Sequence, residues 1–162
     1  MSFGPQVQRG DLSGLAQIDM SALVADVAAL YEGSAEDSGL ELIVDVVPGM
    51  IVMGERMQLT RLLSNLLDNA IKYVPRGGRI ELRLSQGPRI SVCDDGPGIA
   101  PQDRDRVFER FARGSGLLSP PGHGLGLALA RAIALRHGLD LRLGEAGLGA
   151  DGRGACFVVE PA

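Results

Sequence analysis

The twenty residues from Glu55 to Val74 set Leu59, Leu62, Leu63, Leu66, Leu67, Ala70 and Ile71 at intervals of three, four and seven. That spacing puts all of them on one side of a helix, whereas a strand would scatter them over both faces of a sheet. The segment therefore has to be an amphipathic helix, ended by Pro75. The rest of the chain has to supply a second layer for its apolar side to cover.

The opposite side of this helix is unusual. Successive residues turn by about 100°, so with Asn65 at zero, Asn69 falls near 40° and Lys72 near −20° by the same rule. The three form one polar stripe. Solvated helix faces ordinarily carry Glu, Lys and Arg, and each Asn costs several tenths of a kcal/mol against Ala. An amide oxygen can ligate Mg²⁺ or accept a hydrogen bond without adding charge, and an ammonium supplies a compact positive charge for phosphate. Of the sixteen basic residues only Lys72 is a lysine. The stripe reads as a ligand-binding face.

Around it the periodicity predicts a regular order. A helix capped by Ser21 runs to about Ser38, followed by strands at Leu40–Val46 and Ile51–Met53 across the Pro48-Gly49 turn. A hairpin follows the long helix, with strands Arg79–Ser85 and Arg89–Asp94. A short helix from Pro101 to Phe111, a helix from Leu125 to His137 ended by Gly138, and strands Leu139–Leu143 and Ala155–Val159 complete the chain. The order α-ββ-α-ββ-α-ββ predicts an α/β (α+β) two-layer sandwich, with one mixed, mostly antiparallel sheet and three main helices on one face. Residues 1–18 are polar and Gly-rich and are expected to be a flexible lead-in or the remnant of a preceding region, with the domain proper spanning residues 19–162.

A chain of 162 residues suits one domain, burying roughly 70% of the surface it exposes when unfolded. Sixteen basic against twenty acidic residues give a net charge of −4, which argues against a broadly basic nucleic-acid surface. No apolar run reaches the roughly 18 residues of a membrane span, and no signal peptide is recognisable. Cys93 and Cys156 lie far apart in strand-like surroundings and are expected as separate, reduced core residues in a cytosolic compartment.

Glycine is abundant, 23 residues, and clustered. Asp94-Asp95-Gly96-Pro97-Gly98-Ile99 lies between a strand and a helix, where two glycines allow close approach of a flat ligand and a carboxylate can accept from an exocyclic amine. Gly122-His123-Gly124-Leu125-Gly126-Leu127 opens a helix, whose exposed N–H groups suit a polyphosphate. The stretch from Arg113 to Gly124 cannot form a regular element and is expected to be a functional lid. Phe108 and Phe111 read as core anchors, and Arg110 and Arg113 as cations able to reach a phosphate.

Taken in order, Asn65 to Tyr73, Asp95-Gly-Pro-Gly98-Ile99, Phe108-Glu-Arg-Phe111 and Gly122 to Leu127 resemble the four sequence boxes of two-component sensor histidine kinases. The match extends from about Asp19 to Pro161. The chain resembles their catalytic and ATP-binding domain, which implies a Bergerat-type fold. The resemblance implies that Asn69, with Asn65, holds Mg²⁺ between the phosphates, that Lys72 faces phosphate and that Tyr73 faces the nucleoside. It implies that Asp95 accepts the adenine amino group beside Gly96, Gly98 and Ile99. Arg113, Gly122 and His123 belong to the implied lid, and Gly124, Leu125, Gly126 and Leu127 meet the phosphates. The catalytic residues so implied are Asn65, Lys72 and Arg113.

The implied reaction is transfer of the ATP γ-phosphoryl to a histidine nitrogen. The histidine would belong to a dimerisation domain absent from this chain, because His123 and His137 lie in the wrong contexts and nothing before Asp19 resembles the acceptor. A response regulator is the further implied partner, and a cytoplasmic domain of a parent in the inner membrane the implied setting. The alternatives are a nucleotide-binding regulatory module, or an ATPase of the same superfamily without histidine kinase activity. Those ATPases typically carry Glu where Asn65 stands, and an amide cannot act as that base.

Overall fold

A computed structural model describes residues 15–109 and 126–162 of the chain. The elements are β1 (Ala16–Asp19), α1 (Met20–Asp37), β2 (Glu41–Val46), β3 (Ile51–Gly54), α2 (Arg56–Tyr73), β4 (Arg79–Ser85), β5 (Arg89–Asp94), α3 (Gly126–Arg136), β6 (Leu139–Leu143) and β7 (Cys156–Pro161). Short 3₁₀ turns lie at Pro101–Asp103 and Ala150–Gly152.

Five strands form one sheet in the order β2-β4-β5-β7-β6. The β2–β4 pair is parallel and the other three are antiparallel. A parallel pair needs a crossover between its strands, and α2 lies on that crossover. On β4, Ile80, Leu82 and Leu84 alternate onto the helix side, as do Ile90 and Val92 on β5, and all are buried. They meet Leu59, Leu62, Leu63, Leu66, Leu67 and Ala70 of α2, each no more than 3% exposed. α2 lies between α1 and α3, so the three helices cover one face. The other face carries ion pairs of Arg83 with Asp45 and Glu81, and of Arg89 and Arg142 with Glu160, a solvated surface of small energetic weight.

Several expectations need correction. The strands do not form one sheet: β3 pairs with β1 in a separate antiparallel ribbon, Ala16 opposite Gly54 and Asp19 opposite Ile51. Residues 16–18, expected in the lead-in, are thus part of the fold. Asp19, not Ser21, caps α1, its carboxylate accepting the N–H of Ala22 at 3.0 Å. Ser21 is buried and spans the β2–β3 turn, donating to the Val47 carbonyl and accepting from Met50 N–H. The helix expected over Pro101–Phe111 is a 3₁₀ turn followed by further turns as far as Glu109, and Phe111 lies outside the described residues. Cys93 and Cys156 are bonded to each other, because strand pairing sets them directly opposite on β5 and β7.

Candidate functional site

The polar stripe of α2 is half-buried, with Asn65, Asn69, Lys72 and Tyr73 all in that state. A stripe that merely faced water would be exposed. Asn65 Nδ2 donates to the carbonyl of Gly126 at 3.1 Å, so the first residue of α3 rests on the middle of α2. Burial lowers the pKa of the Lys72 ammonium, while Asp68 opposes that shift.

At the end of β5, Asp94 follows Ile90 and Val92 onto the helix side and is buried, 7% exposed. Its Oδ1 accepts the N–H groups of Gly96 at 2.9 Å and Ala155 at 3.2 Å. Both bonds fall on one oxygen, which leaves Oδ2 as the face for another donor. The Asp94 backbone is fixed as well: its N–H donates to the Ala155 carbonyl and its carbonyl accepts from Leu148 N–H, both at 2.8 Å. Burial raises the pKa of Asp94; the two backbone N–H groups pull it back and the Asp95 charge adds to the rise.

Asp95 is placed differently from the sequence expectation. Its Oδ1 accepts the backbone N–H of Arg79 at 2.8 Å, and its other oxygen lies 4.0 Å from the Arg79 guanidinium. It lines a cleft of about 320 Å³ beside Arg76 and Arg153, at the turn from α2 into β4. The carboxylate turned toward the helices is therefore Asp94. Sequence alternation carried the signal, because residues 90, 92 and 94 share one face of a strand.

The loop after Asp94 is held close to α2. A Cβ on Gly96 would stand 3.2 Å from Asp94 Oδ1 and 3.4 Å from Val74 Cγ2. Gly98 has φ +80°, and a Cβ there would stand 3.1 Å from the Gly154 carbonyl oxygen, so side chains are unfavourable on both grounds. Ile99 and Leu127 pack on the core, while Gly126 has open space where a Cβ would stand. Arg110, Arg113, Gly122, His123, Gly124 and Leu125 lie outside the described residues.

His137 has a role the sequence did not reveal. Its Nε2 accepts the N–H of Glu55 at 3.1 Å and its Nδ1 lies 2.8 Å from the Ile133 carbonyl. With Nε2 accepting, Nδ1 is the donor to that carbonyl. Glu55 is the cap of α2, accepting from Gln58 N–H, so His137 ties the end of α3 to the start of α2.

Residues 54–162 match the family model described as histidine kinase-, DNA gyrase B- and HSP90-like ATPase. The chain is 40% identical over 158 residues to the signal transduction histidine-protein kinase/phosphatase MprB of Mycolicibacterium smegmatis, covering 90% of this chain and 32% of that protein. The chain thus spans about a third of the length of that relative. A solved mycobacterial sensor histidine kinase MprB superposes with a TM-score of 0.78 at 35% identity, covering 91% of this chain and all of that one. Full-length ShkA in complex with AMPPNP superposes with a TM-score of 0.74 at 32% identity, covering 91% of this chain and 30% of ShkA.

Proposed function

The chain belongs to the family of histidine kinase-, DNA gyrase B- and HSP90-like ATPases, as an ATP-binding catalytic domain of the sensor histidine kinase kind, and on that premise we propose the following use of its residues. ATP lies between the polar stripe of α2, the loop Asp94 to Ile99 and the start of α3. Its γ-phosphoryl passes to a histidine on a separate dimerisation domain, and from there to a response regulator. The domain works on the cytoplasmic side of a membrane-bound parent. In keeping with a domain that lies off the bilayer, no helix among the described residues is long and apolar enough to cross a membrane.

The observation that carries this reading is the buried Asp94 carboxylate with both backbone bonds on Oδ1. Oδ2 accepts the exocyclic amine of adenine, the role the sequence had placed on Asp95. Gly96 and Gly98 let the flat base approach, Ile99 gives it an apolar contact and Tyr73 lies on the nucleoside side. Lys72 supplies charge to the phosphates, and Gly126 and Leu127 meet them at the start of α3; the contributions expected of Arg113 and of Gly122 to Leu125 fall outside the described residues.

Asn69, with Asn65, holds Mg²⁺. The donor set fits: amide oxygens add no charge, and Mg²⁺ is usually held by few protein ligands together with phosphates and waters. The ion, when bound, neutralises charge on the transferred phosphoryl. The protein otherwise acts by positioning.

Hydrolysis is the second reading, and Asn65 disfavours it. An amide is no general base, and its Nδ2 is already engaged by Gly126.

Thermal unfolding with ATP or ADP, each with and without Mg²⁺, tests the proposal. Ligand at 100 times its dissociation constant adds about 2.7 kcal/mol, a rise of roughly 5 to 10 °C in a domain of this size. An adenine-specific, Mg²⁺-dependent rise is expected. No rise at millimolar nucleotide overturns the reading.

A further inference from the structure

The chain contains two cysteines, and they are bonded across adjacent strands at the last registered pair of the β5–β7 ladder. Their Cα atoms are 3.9 Å apart. The next residues along, Asp94 and Ala155, hold each other by backbone and side chain: Asp94 N–H to the Ala155 carbonyl, and Ala155 N–H to Asp94 Oδ1. The sulfur pair sits on the face of the sheet away from the helices, with Val158, under the partly buried Leu148. Leu148 itself donates its N–H to the Asp94 carbonyl. Cross-link, cover and nucleotide carboxylate are thus one connected unit.

From this juxtaposition we propose that Cys93 and Cys156 are a thiol–disulfide exchange site whose state sets how firmly Asp94 is held. The co-reactants are a dithiol in the reducing direction and a small-molecule disulfide in the oxidising one. In reduction, a thiolate of the dithiol attacks one cysteine sulfur, the Cys93–Cys156 bond breaks and the other cysteine leaves as thiolate. The second thiol of the reagent then closes its own disulfide and releases the first cysteine. Two electrons and two protons end on Cys93 and Cys156, and the dithiol is oxidised. In the oxidising direction a small-molecule disulfide becomes two thiols as the bond between the cysteines forms.

The direction of the effect follows from position. Ladder ends open first, because few bonds hold them. The cross-link removes that opening at the strand end that holds Asp94, so the oxidised chain keeps Asp94 on Ala155 and the reduced chain lets it fray. Both cysteines are buried, 9% and 8% exposed. A reagent therefore has to lift Leu148 and disturb its bond to Asp94. By linkage, a ligand that binds the oxidised chain more tightly shifts the exchange equilibrium toward the disulfide.

The consequence for ATP rests on the role proposed above for Asp94, and the experiment separates the two. The 162-residue chain is equilibrated with dithiothreitol or with oxidised glutathione, unfolded and alkylated to count thiols, and in parallel followed by amide hydrogen exchange and ADP titration. The expected result is two thiols in one state and none in the other. Exchange at residues 94–98 and 148–155 rises several-fold on reduction and ADP affinity falls several-fold, both reversed on reoxidation. Cys93→Ser with Cys156→Ser should match the reduced chain in either reagent.

Two thiols under both conditions overturn the proposal, as does equal amide exchange in the two states. A redox difference in amide exchange without ADP binding in either state upholds the exchange site and overturns the nucleotide reading.

Discussion

Asp94 and Asp95 are neighbours with opposite surroundings, and single substitutions distinguish them. Asp94→Asn should abolish the nucleotide-induced rise in melting temperature, because the amide offers the adenine amine a weaker acceptor. The same variant should gain stability at neutral pH. The unfolded chain releases this proton near the usual 3.8, whereas the folded chain retains it to higher pH. In that window the folded state binds more protons, so stability falls as pH rises and stays lowered above it. Asn removes that loss and still accepts from Gly96 and Ala155. A melting temperature above the parent at pH 7, with the gain vanishing below about pH 3.8, is the expected pattern, read from unfolding curves across pH. Asp95→Asn should keep nucleotide binding, since its partners are on Arg79. Asn69→Ala should lose the Mg²⁺-dependent part of the shift more than the basal part; equal Mg²⁺ enhancement in variant and parent would remove the metal role. The α2 stripe was legible because helical periodicity alone fixes it. The burial of Asp94 on the helix side was missed because turn chemistry at Asp95-Gly96 overrode the alternation one residue too early. The Asn65–Gly126 bond joins residues 61 apart, a separation no local pattern encodes.

The elements are joined at points that helix and strand patterns do not disclose. α3 is tied to α2 at both ends, by Asn65 at its start and His137 at its finish. His137→Phe leaves the Glu55 N–H without its acceptor, and an unmet donor of this kind costs about 1 to 3 kcal/mol. The denaturant midpoint should fall with unchanged slope, while His137→Gln, which retains an acceptor, should recover much of the loss. Strands β4, β5 and β6 have the bounds their alternation predicts. Strand β1 escaped because the alternation of Ala-Gln-Ile-Asp runs for only four residues and its partner β3 lies beyond α1 and β2. The Cys93–Cys156 bond escaped for a related reason: each cysteine reads as an isolated core residue until the β5–β7 register is known.

The layered architecture of the whole molecule was legible, because one strongly amphipathic helix and alternating strands leave little choice but a sandwich. The division into two sheets was not, since it depends on which strand edge β3 finds. The β1–β3 ribbon makes a prediction at this scale. Removing residues 1–19 takes away the α1 cap and bares the edge of β3, where Ile51 and Met53 are already 55% and 58% exposed. Loss of a cap costs about 1 kcal/mol, roughly 2 to 4 °C for a domain of this size. An unpaired apolar edge promotes association. A lowered melting temperature with raised light scattering should result, and an unchanged, monomeric variant would show the ribbon to be dispensable.

The bond from Ala155 to Asp94 spans 61 residues of chain, which gives the nucleotide pocket a place in time as well as in space. Contacts of such long sequence separation are slow to close, and proteins are synthesised from the amino terminus at about 5 to 20 residues per second. A nascent chain that has emerged only through α3 has its asparagines and lysine in place but no β7 to hold Asp94. On the reading proposed for Asp94, ATP then finds no firm acceptor until Ala155 has left the ribosome. On that role for Asp94, competence to bind nucleotide is thereby deferred until β7 has been made, so a truncated product lacking β7 should not bind ATP.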